Sequence, residues 1–182
     1  MLTIPDQIRG NRLSEILDDL RVKYGKLSRI GHIYGLMIAD QDAKVLAVNS
    51  FFNSKINYWD IGAIGGALFG VAKQGRELFA GTDLERASLI YEDTQFFVHS
   101  IGEVVLSIDQ NRELILIVIG DRKINIGLIV MQMRRFAPEI KIQVERDEQT
   151  QKTLKMSEIE FNNHIDEIKR IFSLNHIKEE II

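Results

Sequence analysis

Cysteine is absent from the 182 residues, which excludes disulfides, thiolate nucleophiles and Cys-ligated metals and fits a reducing, cytoplasmic compartment. Proline occurs only twice, at Pro5 and Pro138, too seldom for a proline-rich linker or recognition tract. Neither sign of charge prevails. The 23 Lys and Arg stand against 26 Asp and Glu, a net charge of −3, and the basic residues are scattered, so the electrostatic footprint of a nucleic-acid binder is missing. The longest apolar run, residues 61–72, falls short of the ~20 residues a membrane span requires. The first twenty residues, MLTIPDQIRGNRLSEILDDL, have no basic stretch leading into an apolar one and do not read as a signal peptide. What remains is 45% apolar and 27% charged, the profile of a soluble globular chain of one domain with an appendage.

Catalytic constellations are missing too. His32, His99, His164 and His176 are dispersed, with no HExxH spacing, so no metal site is expected. No G-x-S-x-G motif and no neighbouring Ser–His pair appears. The segment GAIGGALFG (62–70) has the G-x-x-x-x-G spacing at Gly65 and Gly70, but Val71-Ala72 stand where a phosphate loop needs Lys and Ser or Thr. The dinucleotide G-x-G-x-x-G is lacking as well. No catalytic residue, cofactor or metal is therefore expected.

Periodicity organises the rest. Leu13, Ile16, Leu17 and Leu20 recur at helical spacing over 11–24, with Gly25 as the expected C-terminal cap. HIYGLMIA and VLAVNS flank the turn DQDAK and predict a hairpin. Residues 58–78 predict a long helix, with Asn57 or Ser54 as its cap. From Ala87 the period changes to that of strands: SLIYED, QFFVHSIG, VVLSI and ELILIVI make five or six strands in all, with a hairpin turn at 109–112. A third helix is expected over 125–137, stopped by Pro138. Beyond it IKIQV reads as a short strand and RDEQTQK as loose. Leu154, Phe161, Ile165, Ile168 and Phe172 predict an amphipathic C-terminal helix. The expected division is a domain over 1–138 and an extension over 139–182.

The middle helix carries Gly62, Gly66 and Gly70 at every fourth position. Each costs roughly 1 kcal/mol of helix propensity relative to alanine, so the stripe predicts close approach by another backbone or by sheet side chains. Ile61, Ile64, Leu68 and Val71 form a neighbouring apolar stripe. Together the stripes predict a helix covered on two sides, by its own sheet and by a second copy of the chain.

The strand-to-helix junction IGDRKINIGLIVMQMRRF (119–136), in which Asn125-x-Gly127 opens the helix, the entry TDLERASLI (82–90) into the second strand block, and the element order from Asn11 to Ala137 resemble the roadblock family, which includes the dynein light chain of that name. The resemblance implies an α+β sandwich, an antiparallel sheet with one helix on one face and two on the other. It implies pairing, with itself or with a roadblock paralogue, through the middle helix (Trp59, Ile64, Leu68, Val71) and the strand after it (Leu89, Tyr91). It further implies a non-enzymatic platform for small GTPases of the Ras-like superfamily, acting as scaffold or regulator. A mixed α/β domain of this outline also describes PAS- or GAF-type ligand sensors and longin-like trafficking domains. The aliphatic run ELILIVI (113–119) favours a filled core over a ligand cavity.

Overall fold

Two hydrophobic clusters lie on opposite faces of one antiparallel sheet in the computed structural model of the chain. The structure describes residues 4–53, 56–79, 81–107, 110–157, 159–161, 163 and 166–167. A short helix α1 (Asp6–Arg9) precedes α2 (Arg12–Leu27), and the hairpin β1 (Ile33–Asp40) and β2 (Val45–Val48) follows. Next come the central helix α3 (Tyr58–Gln74), a 3-10 turn at Gly75–Glu77, and the strands β3 (Arg86–Ile90), β4 (Thr94–Ser107) and β5 (Gln110–Asp121). Helices α4 (Ile126–Arg146) and α5 (Glu148–Lys155) end the succession.

The sheet has five strands in the order β2-β1-β5-β4-β3, all antiparallel. QFFVHSIG and VVLSI are therefore one long strand, bent by a bulge between Ser100 and Gly102. The glycine there has φ +106°, a conformation that a side chain disfavours. Strands β1 and β5 are buried on both faces, which is why they read as continuous aliphatic runs and not as alternating ones. Helices α2 and α4 cover one face, where Leu17, Leu20, Met133, Phe136 and Ile140 meet Leu36, Phe97 and Leu116. Helix α3 covers the other, where Tyr58 and Phe69 meet Met37, Val98 and Ile117. This is the expected arrangement of one helix against two.

Asparagines start the three main helices. Asn11, Asn57 and Asn125 each accept a main-chain N–H in the first turn, from Ser14, Trp59 and Leu128 respectively. The strand–Asn-x-Gly–helix junction is thus a capped helix start.

Several boundaries differ from expectation. Helix α2 passes Gly25 and ends at Leu27, and α3 gives way to a 3-10 turn at Gly75. Pro138 does not stop α4, which continues to Arg146 through the segment expected as a strand. Beyond the proline, Ile140 and Val144 are fully buried, and their burial gives the continued helix its return. The RDEQTQK segment is helical as well: Asp147 caps α5 by accepting from the Thr150 N–H at 2.8 Å. The single C-terminal stripe is broken, because α5 ends at Lys155 and the next helical turn is started separately by Ser157, whose side chain accepts from the Glu160 N–H. Leu154 is buried in the α2/α4 cluster and Phe161 against Trp59. Ser54, His164, Ile165, Ile168, Phe172 and His176 lie outside the described residues.

Candidate interaction surface

The two edges of the sheet are treated differently. At the β2 edge every residue is buried, and polar side chains reach one main-chain carbonyl in the strand and another just after it. Asn11 Nδ2 donates to the Leu46 C=O at 3.1 Å, and Arg9 Nε donates to the Ser50 C=O at 2.9 Å. At the other edge β3 is open along one side. The Tyr91 N–H donates to the Thr94 C=O at 2.8 Å and the Ser100 N–H to the Glu85 C=O at 2.9 Å. Because antiparallel pairing alternates, residues 85, 87, 89 and 91 direct their main chain toward β4. Arg86, Ser88 and Ile90 therefore direct theirs outward, and an open row of this kind is a template for pairing.

Helix α3 crosses the sheet from β2 toward β3. A Cβ on Gly62 would lie 2.8 Å from Val45 Cγ2, on Gly65 2.4 Å from Ile117 Cδ1, and on Gly66 3.1 Å from the Gln41 C=O. The glycines at 62 and 66 thus admit the chain's own β1–β2 turn, and Gly65, outside the expected stripe, makes the closest approach. A Cβ on Gly70 would meet nothing within 4 Å.

The outer face of α3 is apolar and exposed. Val71 is 69% exposed and Ile64 43%, with Ala63, Ala67 and Gly70 exposed between them. The helix carries two charged side chains, Asp60 and Lys73. Lys73 is turned to Glu113 at 2.7 Å, whose other oxygen accepts from Ser100 Oγ. The outer stripe is left with almost no charge. Leu78, Phe79 and Tyr91 extend the exposed apolar residues toward the β3 edge.

Of the residues expected to face a second copy, Ile64, Gly70, Val71 and Tyr91 are exposed, whereas Gly62 and Gly66 are buried against the chain itself. Leu68 and Leu89 are half-buried against the α3-side core. Trp59 is half-buried, with Phe161 edge-on at 5.9 Å between ring centres. The sequence reading passed over Ala63, Ala67 and the outward row at 86, 88 and 90. Alanine carries no pattern signal, and the phase of an edge strand follows from its pairing.

A second feature lies beside the open edge, on the α4 side of the sheet. An open groove of about 520 Å³ runs between Asp83, Leu84 and Glu85 on one wall and Arg134, Pro138 and Lys141 on the other, with His99 in its floor. Arg134 holds Glu85 by two hydrogen bonds of 2.6 and 2.7 Å, and this contact keeps the Glu85 carboxyl below the usual range. His99 is only 3% exposed. Its Nδ1 has no hydrogen-bond partner and stands 4.0 Å from Glu85 Oε1, and burial lowers its pKa. Among the described residues no three or more His, Asp or Glu side chains are placed to hold a metal ion, and no helix is long and apolar enough to cross a membrane.

Sequence comparison matches no family model and no curated protein. The three-dimensional structure is similar to the Roadblock/LC7 domain from Streptomyces avermitilis, with TM-score 0.53 and 15% identity over 70% of this chain and 96% of that one. It is also similar to Myxococcus xanthus MglB, with TM-score 0.58 and 11% identity over 75% of this chain and 98% of that one. For the gliding protein MglB from Thermus thermophilus the TM-score is 0.58 and the identity 12%, over 80% of this chain and 100% of that one. The chain has the roadblock fold.

Proposed function

We propose that this chain is a roadblock-type pairing module. Two copies, or one copy and a roadblock paralogue, join through the outer face of α3 and the open edge of β3. The pair then serves as a non-enzymatic platform that tethers or regulates a small GTPase of the Ras-like superfamily. The observation that carries the reading is the coincidence of an uncharged, exposed α3 stripe with an unpaired strand edge beside it. Such a patch marks an interaction site. Self-association on this fold has a precedent in a similar MglB structure described as a tetrameric arrangement, with TM-score 0.58 and 12% identity. The GTPase follows from the family resemblance of the sequence. The expected extension, residues 139–182, begins inside α4, and we propose that it adds to the partner surface.

Light scattering of the purified chain at micromolar concentrations is expected to give twice the mass of one copy. Ras-like GTPases loaded with GDP or a GTP analogue are expected to be retained by the immobilised chain, in at least one nucleotide state. The chain alone is expected neither to bind nor to hydrolyse GTP. No retention in either state, or tight binding of labelled GTP by the chain itself, would each overturn the reading, and a monomeric mass would overturn pairing of the chain with itself.

A further inference from the structure

We propose that the corner where the α2–β1 loop meets the start of α4 is a docking surface for an anionic lipid bilayer. Lys26, Arg29, Arg122 and Lys123 face the headgroups there, and Leu27, Ile30 and Ile126 enter the interface. The proposal goes beyond the pairing reading and does not depend on it, because α2 and α4 cover the face of the sheet opposite to α3.

The cations are scattered along the sequence and gathered by the fold. Residues 20–39 hold two Arg, two Lys and no Asp or Glu, and residues 122–138 hold three Arg, one Lys and no Asp or Glu. Strand β1 begins where β5 ends, with Ile33 opposite Gly120, and this brings the two segments together. The Asn125 N–H donates to Tyr24 Oη at 2.9 Å, and that hydroxyl donates to the Ile30 C=O at 3.3 Å. A Cβ on Gly31 would stand 2.4 Å from Ile124 Cα, so the two loops touch main chain to main chain.

The charges gathered there act outward. Lys26, Arg29, Arg122 and Lys123 are exposed and form no ion pair among the described residues. Asp121, at the end of β5, is engaged locally. Its carboxylate accepts from the His32 and Lys123 N–H groups at 3.0 and 2.9 Å and lies 3.0 Å from His32 Nδ1. Glu92 and Asp93 stand at the margin, where the Arg122 N–H donates to the Asp93 C=O at 2.9 Å. Helix α4 has no acid in its first turn, so the N–H groups at its start add to the positive potential.

Exposed aliphatic side chains interleave with these cations: Leu27 is 60%, Ile30 62% and Ile126 45% exposed. The mixture suits a bilayer interface, where headgroups meet the charges and the acyl boundary takes the apolar atoms. A nucleic-acid backbone offers the aliphatic residues nothing to bury against. Unpaired and unbraced, the four cations suit a fluid array of headgroups, which rearranges to meet them, more than the fixed carboxylates of a folded partner. Screening confines the attraction to about 8 Å at physiological salt, so the local cluster decides it and not the net charge of −3.

Co-sedimentation of the full chain with vesicles tests the proposal. Phosphatidylcholine vesicles that contain phosphatidylserine are expected to carry the chain down, and vesicles of phosphatidylcholine alone are expected not to. A cation near an anionic surface is worth roughly a fivefold change in binding, so Lys26→Gln with Arg29→Gln is expected to weaken it roughly 25-fold. Arg122→Gln with Lys123→Gln is expected to do the same from the other segment. Leu27→Ser with Ile30→Ser is expected to weaken binding while leaving its salt dependence unchanged. Lys152→Gln with Lys155→Gln removes the same charge from exposed positions on α5 and is expected to leave binding as it is. All of these side chains are exposed, so each variant is expected to melt close to the wild type. Equal losses from the corner and from α5 would reduce the effect to net charge and overturn the proposal. Absence of binding to phosphatidylserine vesicles would also overturn it, and retention on immobilised polyglutamate in that case would assign the corner to an acidic protein surface.

Discussion

Gly65 and Gly70 sit on the same helix and answer to different neighbours. At Gly65 a methyl group would press on Ile117 Cδ1 at 2.4 Å, and Ile117 is fully buried, so its side chain would have to shift against packed neighbours. At Gly70 a methyl group would meet nothing within 4 Å. Alanine gains roughly 1 kcal/mol of helix propensity over glycine at either position, so the sign of each substitution is decided by space. Gly70→Ala is expected to raise the urea midpoint of the chain and Gly65→Ala to lower it. Equal shifts at the two positions would contradict the packing of α3 on β5. The need for close approach was legible in the sequence as a fourfold glycine spacing. Which glycine approaches closest was not, because that depends on where α3 crosses the strands.

At the scale of elements, α4 shows why local rules mislocated a boundary. A proline inside a helix costs about 3 kcal/mol. Ile140 and Val144 are each fully buried beyond it, and burial of one such side chain is worth roughly 1.5–3 kcal/mol. Two of them offset the break, so tertiary packing carries the helix past a position that sequence reading treats as its end. The same accounting applies to α5. Leu154 is fully buried in the α2/α4 cluster, and the Lys44 ammonium, itself buried, reaches the Leu154 C=O at 3.5 Å. Leu154→Ala is therefore expected to cost about 2–5 kcal/mol in urea unfolding. Ile159, 74% exposed, should lose no more than about 0.5 kcal/mol on replacement by alanine. Small and equal losses would mean that α5 is not docked. The strand block was misread in a simpler way. Its hydrophobic runs were legible, but the one bulge at Gly102 that joins two of them into β4 is a backbone event with no periodic signature.

At the scale of the whole molecule the sheet is buried at its β2 edge and open at β3, beside an uncharged helix face. This asymmetry separates the residues that hold one copy together from those available to a partner. Leu68 is half-buried in the copy's own core, so a charge there would damage the fold before it informed on pairing. Val71 is on the same helix but 69% exposed, with no contribution to the core to lose. A glutamate at position 71 costs the single copy little, because exposed substitutions usually fall within about 0.5 kcal/mol. In a dimer that covers the α3 stripe it would bury an unpaired carboxylate, a far larger penalty. Val71→Glu is therefore expected to melt at nearly the wild-type temperature, to have the mass of one copy by light scattering, and to lose retention of the GTPase. Retention by a folded monomer would show that one copy is sufficient for the platform. A dimer that survives the substitution would place the pairing surface elsewhere than the outer face of α3.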